Sequence, residues 1–251
     1  MVAQQQNLDV IANNLANVNT TGYKQQAAEF QDLMYATYRA SGATNAGAVS
    51  APEPIQVGTG SRLASTANSF RQGPLQATGN TLDLAVMGDG FFAVERPDGT
   101  TAYTRDGTFK LDATGLVVTN DGFPLSPNIT VPTGATALTI SNTGVISAIL
   151  PGTNEPVQLG NLQLTIFSNS AGLTRVGQNL FLAGGASGDA QTAEPGQSGS
   201  GLIQSGFTEG SNVQIVDEMV RMITAQRAYE INSKAIQTAD DMLSVLVTLK
   251  R

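Results

Sequence analysis

The 251 residues are enough for one large domain or two smaller ones, and only 13 % of them are charged, about half the usual share of roughly 25 %. The chain contains no Cys and no His, which excludes disulfides, thiol catalysis and Cys-ligated metal and removes the commonest general base and metal ligand. A net charge of −7 with a pI of about 4.5 argues against nucleic acid as a partner.

The charge is unevenly placed. Residues 1–39 sum to −1, residues 213–251 to 0, and the stretch between them carries the remaining −6. Near-neutral ends can pack together without much self-repulsion, whereas the middle repels and solvates. No run reaches the roughly 18 apolar residues that span a bilayer, so no direct membrane insertion is expected. Met1 to Asn7 is polar and has no apolar h-region, so export is expected to follow a route that needs no cleavable signal peptide.

Near the start, Leu8, Ile11, Leu15 and Val18 follow a 3-4-3 spacing, the seam of an amphipathic helix. Thr20-Thr21-Gly22 is expected to end it, with Gly22 in the left-handed position after the last turn. Residues 25–38 read as a second helical or extended piece. Residues 40–62 are low in charge, rich in small residues and contain Pro52-Glu53-Pro54, so the backbone there is expected to be an extended arm or linker.

From about Leu82 the pattern turns to strands. Leu82, Leu84 and Val86 alternate, and apolar runs follow at 91–94, around Tyr103, at Phe109 and Leu111, and at 116–118. Asp89-Gly90, Asp98-Gly99, Asp106-Gly107 and Asp121-Gly122 fall between them, and Asp-Gly in that setting predicts hairpins with type I′ turns. Residues 123–174 carry a single charge, Glu155, and read as more strands; residues 184–201 are Gly/Ser-rich and read as a flexible return.

The last segment is the clearest element. Ser211 followed by Gln214 fits a capping box, Asp217 and Glu218 suit the positive end of a helix, and Lys250 and Arg251 suit its negative end. Glu230 and Lys234 stand in the favourable i,i+4 order. No Gly or Pro occurs from Val213 to Arg251, so the helix would span roughly 55 Å. Two apolar stripes run along it. Met222, Ala225, Tyr229, Ile236, Ala239, Leu243 and Leu246 keep heptad spacing around Asn232, and Ile231, Ala235, Met242, Val245 and Leu249 lie beside them. One helical partner buries one stripe, as in an intramolecular hairpin; two stripes call for at least two partners, and the short first helix cannot cover the whole length.

Candidate chemistry is sparse. Gly88-Asp89-Gly90-Phe91-Phe92 has part of a dinucleotide loop, but an apolar strand follows where that loop needs a helix and a third Gly. Asp83, Asp89, Asp98, Asp106, Asp112 and Asp121 lie mostly in turns, where Asp caps its own backbone, and show no Ca²⁺-loop spacing. No catalytic residue, cofactor or metal site is therefore expected. Asn13, Asn14 and Asn17 are out of place inside a helix; they form either a solvated face or amides that pair with adjacent subunits and set register.

Three runs share a resemblance. Leu8-Asp9-Val10-Ile11-Ala12-Asn13-Asn14-Leu15-Ala16-Asn17-Val18-Asn19-Thr20-Thr21-Gly22-Tyr23-Lys24 resembles the N-terminal signature of bacterial flagellar rod and hook proteins. Gly79 to Leu84, Gly88 to Phe92 and Tyr103-Thr104-Arg105-Asp106-Gly107-Thr108-Phe109 resemble their middle domain. Ser211-Asn212-Val213, Met222-Ile223, Gln226 to Lys234 and Thr238 to Leu243 resemble their C-terminal helix. Residues 28–35 and the arm around Ile55 to Gly60 are most similar to distal-rod members, with hook and proximal-rod paralogues as alternatives. One departure, Thr208 and Gly210 where an apolar residue and a small helix former usually stand, predicts a looser approach to the last helix.

The resemblance implies an α+β fold, with terminal α-helices forming a coiled-coil-like layer and a β-rich middle domain with hairpins. Residues 1–39 plus 202–251 would make a discontinuous helical assembly domain, 40–70 an extended arm that bridges subunits, and 71–201 the middle domain. It implies a non-catalytic subunit of the flagellar distal rod, a hollow helical drive shaft crossing the periplasm and carrying motor torque to the hook. Implied partners are further copies of the chain, proximal rod proteins, the hook protein and the ring bushing proteins. The expected assembly interface is Leu8, Ile11, Asn13, Asn14, Leu15, Asn17, Val18, Met222, Tyr229, Asn232, Ile236, Leu243 and Leu246. A different class, a secreted β-rich binding module on a helical stalk, predicts instead a specific glycan or protein ligand for the middle domain.

Overall fold

A computed structural model describes residues 1–39, 53–152 and 155–249. The chain divides into two compact units, one made of Met1–Leu15, Gln26–Ala67 and Ile215–Arg251, the other of Ala16–Gln25 and Asn68–Gln214. The fold is α+β: a helix at each end and strands between.

The second unit is built on a five-stranded antiparallel sheet. Its order is Leu125–Ser126, Phe92–Glu95, Thr101–Thr104, Leu180–Leu182, Thr174–Gly177. A three-stranded meander, Ala137–Ile140, Val145–Ile149 and Pro156–Asn161, and several two-stranded pairs complete it. Successive strand residues point to opposite faces, and neighbours Phe91 and Phe92 show the consequence. Phe92 joins Leu84, Val86, Val94, Phe109, Leu125 and Ile146 in the main core. Phe91 joins Tyr103, Phe167, Leu173 and Phe181 in a second cluster, whose rings meet edge-to-face at 4.8 to 6.1 Å between centroids.

Two of the four Asp-Gly pairs close hairpins, and neither uses a type I′ turn. Between Phe92–Glu95 and Thr101–Thr104, Gly99 N–H donates to Arg96 O at 2.9 Å and Arg96 N–H to Thr100 O at 3.0 Å. That is a three-residue loop in which only Gly99, at φ +77°, is left-handed. Thr119 to Phe123 repeats the arrangement around Gly122. Asp89-Gly90 and Asp106-Gly107 instead lie in connections, because Leu84–Met87 pairs with Leu202–Ser205 and Lys110–Leu111 pairs with Val117–Val118. Two of these Asp residues cap their own turns as expected: Asp98 and Asp106 each accept the backbone N–H and the hydroxyl of a Thr two residues on.

Residues 184–201 are an ordered part of this unit rather than a flexible return. Gln191–Ala193 pairs with Leu164–Ile166, and Ser187 is buried with its hydroxyl donating to Gly184 O at 2.8 Å. The approach to the last helix is also held. Phe207–Glu209 pairs with Leu75–Ala77, Thr208 and Glu209 are buried, and Gly210 N–H donates to Pro74 O at 2.8 Å. The looseness predicted from Thr208 and Gly210 is absent, because the segment is a strand and has no use for helix formers.

In the first unit, α1 spans Val2–Ala16 and α2 spans Ile215–Leu249. The first helix ends earlier than the 3-4-3 seam implies. Thr20 N–H closes a turn on Asn17 O at 3.2 Å and its hydroxyl donates to Asn17 Oδ1, so Asn17 and Val18 stand beyond the helix. Asn in this place offers the backbone a turn in competition with the helix. Gly22, at φ +67°, serves a later turn rather than the helix end. Residues 25–38 are extended, not helical. Gln26–Asp32 pairs with Ser61–Asn68, and Tyr35–Arg39 with Ile55–Gly58, giving a two-stranded ribbon where a linker was expected after residue 40. Residues 40–52 of that arm, the side chain of Leu249, and Lys250 and Arg251 lie outside the described residues. Among the described residues of the stretches 1–39 and 202–251, helix is thus confined to α1 and α2, and Leu202–Ser205 and Phe207–Glu209 are strands of the β-rich unit.

The capping box at Ser211 is not formed. Ser211 Oγ accepts Val213 N–H at 3.2 Å in a tight turn, and α2 begins only at Ile215. Asp217 and Glu218 do occupy its first turn. Glu230 pairs with Arg227, three residues before it, at 3.2 Å, in place of the expected Lys234.

Candidate assembly surface

At 35 residues, α2 is about 52 Å long. Burial is concentrated near its start, where Glu218 and Ala225 are buried. From Gln226 to Thr248 every side chain is exposed except Ala228 and Ser233, which are half-buried. The exposed set includes Ile231, Ile236, Met242, Leu243, Val245, Leu246 and Val247, all at least 50 % accessible. A soluble monomer rarely leaves so much contiguous apolar surface to water. From Tyr229 on, the described residues of both predicted stripes are therefore open, and among the described residues the expected coiled-coil-like layer is not made within one chain.

The predicted interface residues separate into two sets. Tyr229, Asn232, Ile236, Leu243 and Leu246 are exposed and Met222 is half-buried, so this set lies on one long free helix. On α1, Leu8 and Leu15 are half-buried, Asn13 is exposed and Ile11 is buried. Asn14 is turned inward at 1 % exposure. Its Nδ2 donates to Gln26 O at 2.8 Å and its Oδ1 accepts Gln26 N–H at 2.9 Å, so this amide grips a peptide unit of its own chain. Asn17 and Val18 are half-buried in the turn after the helix.

The β-rich unit contains a polar cluster that spacing did not foresee. Lys24 Nζ lies 2.6 Å from Glu209 Oε1, with both side chains at 0 % exposure, and also donates to Arg71 O at 3.0 Å. Glu209 Oε1 accepts Gly73 N–H at 2.8 Å, and Oε2 faces Arg105 Nη1 at 3.4 Å. Arg105 Nη2 donates to Gly88 O at 2.7 Å while its guanidinium stands 5.3 Å from the centre of the Phe91 ring. Burial pushes the Lys24 ammonium below its ordinary value, with the Glu209 carboxylate opposing; Arg105 is pushed down by burial in the same way.

Around this ion cluster the backbone of residues 21–25 is pinned on all sides. Gly22 N–H donates to Glu209 O at 2.8 Å, Asn179 Nδ2 to Thr21 O at 3.1 Å, and Arg175 Nη2 to Lys24 O. Gln25 N–H donates to Asn212 Oδ1 at 2.7 Å, and Asn212 Nδ2 bonds Ser69 O and Arg71 O at 2.8 and 2.9 Å. Arg175 also stacks over Tyr23 at 4.8 Å. A Cβ on Gly22 would stand 2.6 Å from Asp106 N, so only Gly fits there. The available signal in the sequence was the placing of Lys24 and Glu209 beside glycines and buried-type residues in a chain so poor in charge.

Among the described residues no group of three or more acidic side chains could hold a metal, and no helix is long and apolar enough to cross a membrane.

A long helix with open apolar stripes, tied by its leading segment to a β-rich unit, defines an axial structural protein of the flagellum when set beside known sequences. The model "Flagella basal body rod protein" matches residues 1–24, "Flagellar hook protein FlgE/F/G D1 domain" residues 85–148, and "Flagellar basal body rod FlgEFG protein C-terminal" residues 204–249. The chain is 47 % identical to the flagellar basal-body rod protein FlgG of Borreliella burgdorferi, over 100 % of this chain and 96 % of that one. It is 45 % identical to FlgG of Caulobacter vibrioides with the same coverage, against 32 % to FlgF of that organism over 94 % of this chain and 88 % of that one. The chain belongs to the flagellar basal-body rod and hook protein family. Within it the likeness to FlgG, the distal rod protein, is greater than that to FlgF. These relatives are structural proteins of the rod.

Proposed function

We propose that this chain is a distal-rod subunit that polymerises by burying the two stripes of α2 against neighbouring copies, forming a hollow helical shaft that transmits torque to the hook. The single observation that carries the mechanism is the exposure of nearly every side chain of α2 from Gln226 to Thr248, including all the described residues of both stripes there. Burying one Leu or Ile side chain contributes about 1.5–3 kcal/mol, so several per subunit, repeated along a polymer, suffice for a rigid tube. Tyr229, Asn232, Ile236, Leu243 and Leu246 supply this interface, with Met222 at its start and with Leu8, Asn13 and Leu15 of α1 joining from the other end of the chain. Asn232 interrupts the apolar seam and sets register, as a polar residue at such a position does in a coiled coil. Terminal helices of many copies then make the coiled-coil-like layer. The shaft works without catalysis or cofactor. Its further partners are proximal rod proteins below, the hook protein above and the ring bushing proteins around it, in the periplasm-spanning part of the basal body.

The test is the full chain carrying both Ile236→Asp and Leu243→Asp. The expected result is loss of filaments by electron microscopy with an unchanged near-ultraviolet circular dichroism spectrum from the β-rich unit. Filaments of normal length from the double variant would refute the proposal.

A further inference from the structure

We infer that Glu209, held by Lys24, is a positioning residue for assembly: it fastens the segment leaving α1 to the segment leading into α2, so that both helices start from one pre-formed seat. This rests on the reading of the chain as a polymerising subunit.

Four observations carry it. First, residues 21–25 follow α1 in the chain and residues 209–212 precede α2, and they are bonded directly to each other: Lys24 to Glu209 at 2.6 Å, Gly22 N–H to Glu209 O at 2.8 Å, and Gln25 N–H to Asn212 Oδ1 at 2.7 Å. Second, Glu209 uses both its backbone and its carboxylate here, accepting from Lys24, Gly73, Arg105 and Gly22. Third, Lys24 and Glu209 are wholly buried in a chain that buries few charges. Removing charge from water is costly, so an ion pair is a poor device for adding stability and a good one for fixing a single arrangement, as buried polar groups do in coiled coils. Fourth, neither apolar cluster of the β-rich unit includes a residue of 16–25 or 206–214. The sheet therefore has its own core, and the clasp adds attachment of the two helix-bearing segments.

The clasp consequently forms in the free subunit, before any neighbour is present. By holding the two connecting segments together, the clasp limits the conformations open to them and lowers the ordering cost of assembly.

The experiment uses the full chain as wild type, Glu209→Gln and Asn212→Ala, with hydrogen exchange on the monomer and filament formation measured by sedimentation and electron microscopy. In wild-type monomer, residues 21–25 are expected to be protected as strongly as Phe92–Glu95. In Glu209→Gln their protection should fall by about tenfold or more, the loss expected when a hydrogen bond to a charged group goes, and by more than that of Phe92–Glu95. The concentration needed for filaments should rise by a similar factor. If Glu209→Gln also opens Phe92–Glu95, Asn212→Ala decides, because it removes three bonds and leaves no unpaired charge. Free exchange of residues 21–25 in wild-type monomer would overturn the inference, and so would unchanged assembly by a variant whose clasp has opened. Failure of wild type to form filaments would count against the proposed function alone, since the exchange comparison still judges the clasp.

Discussion

Lys24 Nζ and Glu209 Oε1 stand 2.6 Å apart across 185 residues of sequence, with no water-accessible surface on either side chain. Arg105 shares the same carboxylate, so one anion answers two buried cations. Breaking a buried pair by removing one partner costs about 3–5 kcal/mol because the other charge is stranded. Glu209→Gln strands two cations, whereas Lys24→Met leaves Glu209 with Arg105. Both are expected to destabilise the β-rich unit, Glu209→Gln by more. Urea unfolding of the full chain, followed by near-ultraviolet circular dichroism, checks the order; equal midpoints for the two variants would show that Arg105 is not coupled to Glu209.

Asn14 offers a sharper contrast between two substitutions. Its amide both donates to and accepts from the Gln26 peptide. Asn14→Ala removes both bonds and should cost about 1–3 kcal/mol, the usual penalty for exposing paired groups at a buried place. Asn14→Asp keeps the acceptor for Gln26 N–H but sets a carboxylate oxygen against Gln26 O, so at neutral pH it should be the worse of the two. Hydrogen exchange over α1 and over Gln26–Asp32 reads the effect directly. An Asn14→Asp chain with wild-type protection would show that this contact does not hold the helix.

These two contacts also mark where the sequence stops being legible. The stripes of α2 are periodic, and periodicity is local, so their residues could be read off the chain, and those from Tyr229 to Leu246 are found exposed. The strands of the β-rich unit were legible for the same reason. Which strand pairs with which was not: Leu84–Met87 finds its partner at Leu202–Ser205, more than a hundred residues away, and no local pattern encodes that. The role of Asn14 was misread because an amide on a helix face looks the same whether its partner is Gln26 or another subunit. Lys24 and Arg105 were visible only as letters within family motifs and Glu209 not at all, since charge pairing over such separations leaves no spacing to detect. Helix ends failed at both termini for one reason: Asn17 and Ser211 turn their side chains to nearby backbone or hydroxyl groups, and that local competition decides where a helix begins or stops.

The Tyr103 phenol, buried in the aromatic cluster, has its pKa raised above the ordinary value of 10 by loss of solvent. Between the unfolded and folded values the folded chain keeps a proton that the unfolded chain has lost. Stability from this group is therefore complete below about pH 10 and falls as pH rises through the folded value. Tyr103→Phe lacks the effect. The stability difference between wild type and Tyr103→Phe should be flat from pH 7 to pH 9 and shift in favour of Phe above pH 10. A constant difference across the whole range in chemical denaturation would mean that the phenol ionises alike in both states.

The last prediction concerns α2 itself. Helices in proteins gain most of their stability from packing an apolar face, and after Ala225 α2 leaves nearly all of its described side chains exposed in a single chain. Its exposed half is rich in residues that give a lone helix little support, including Asn232, Ser233, Thr238, Ser244, Val245, Val247 and Thr248. In dilute subunit, amides from about Gln226 onward should exchange nearly as fast as an unstructured chain, whereas those around Glu218 and Ala225, which are buried, should be protected. On polymerisation the distal half should gain protection as its stripes are covered, and the gain should be lost in the Ile236→Asp, Leu243→Asp double variant. Strong protection of residues 226–249 in dilute wild-type subunit would contradict this, because it would mean that the helix finds its stability without neighbours.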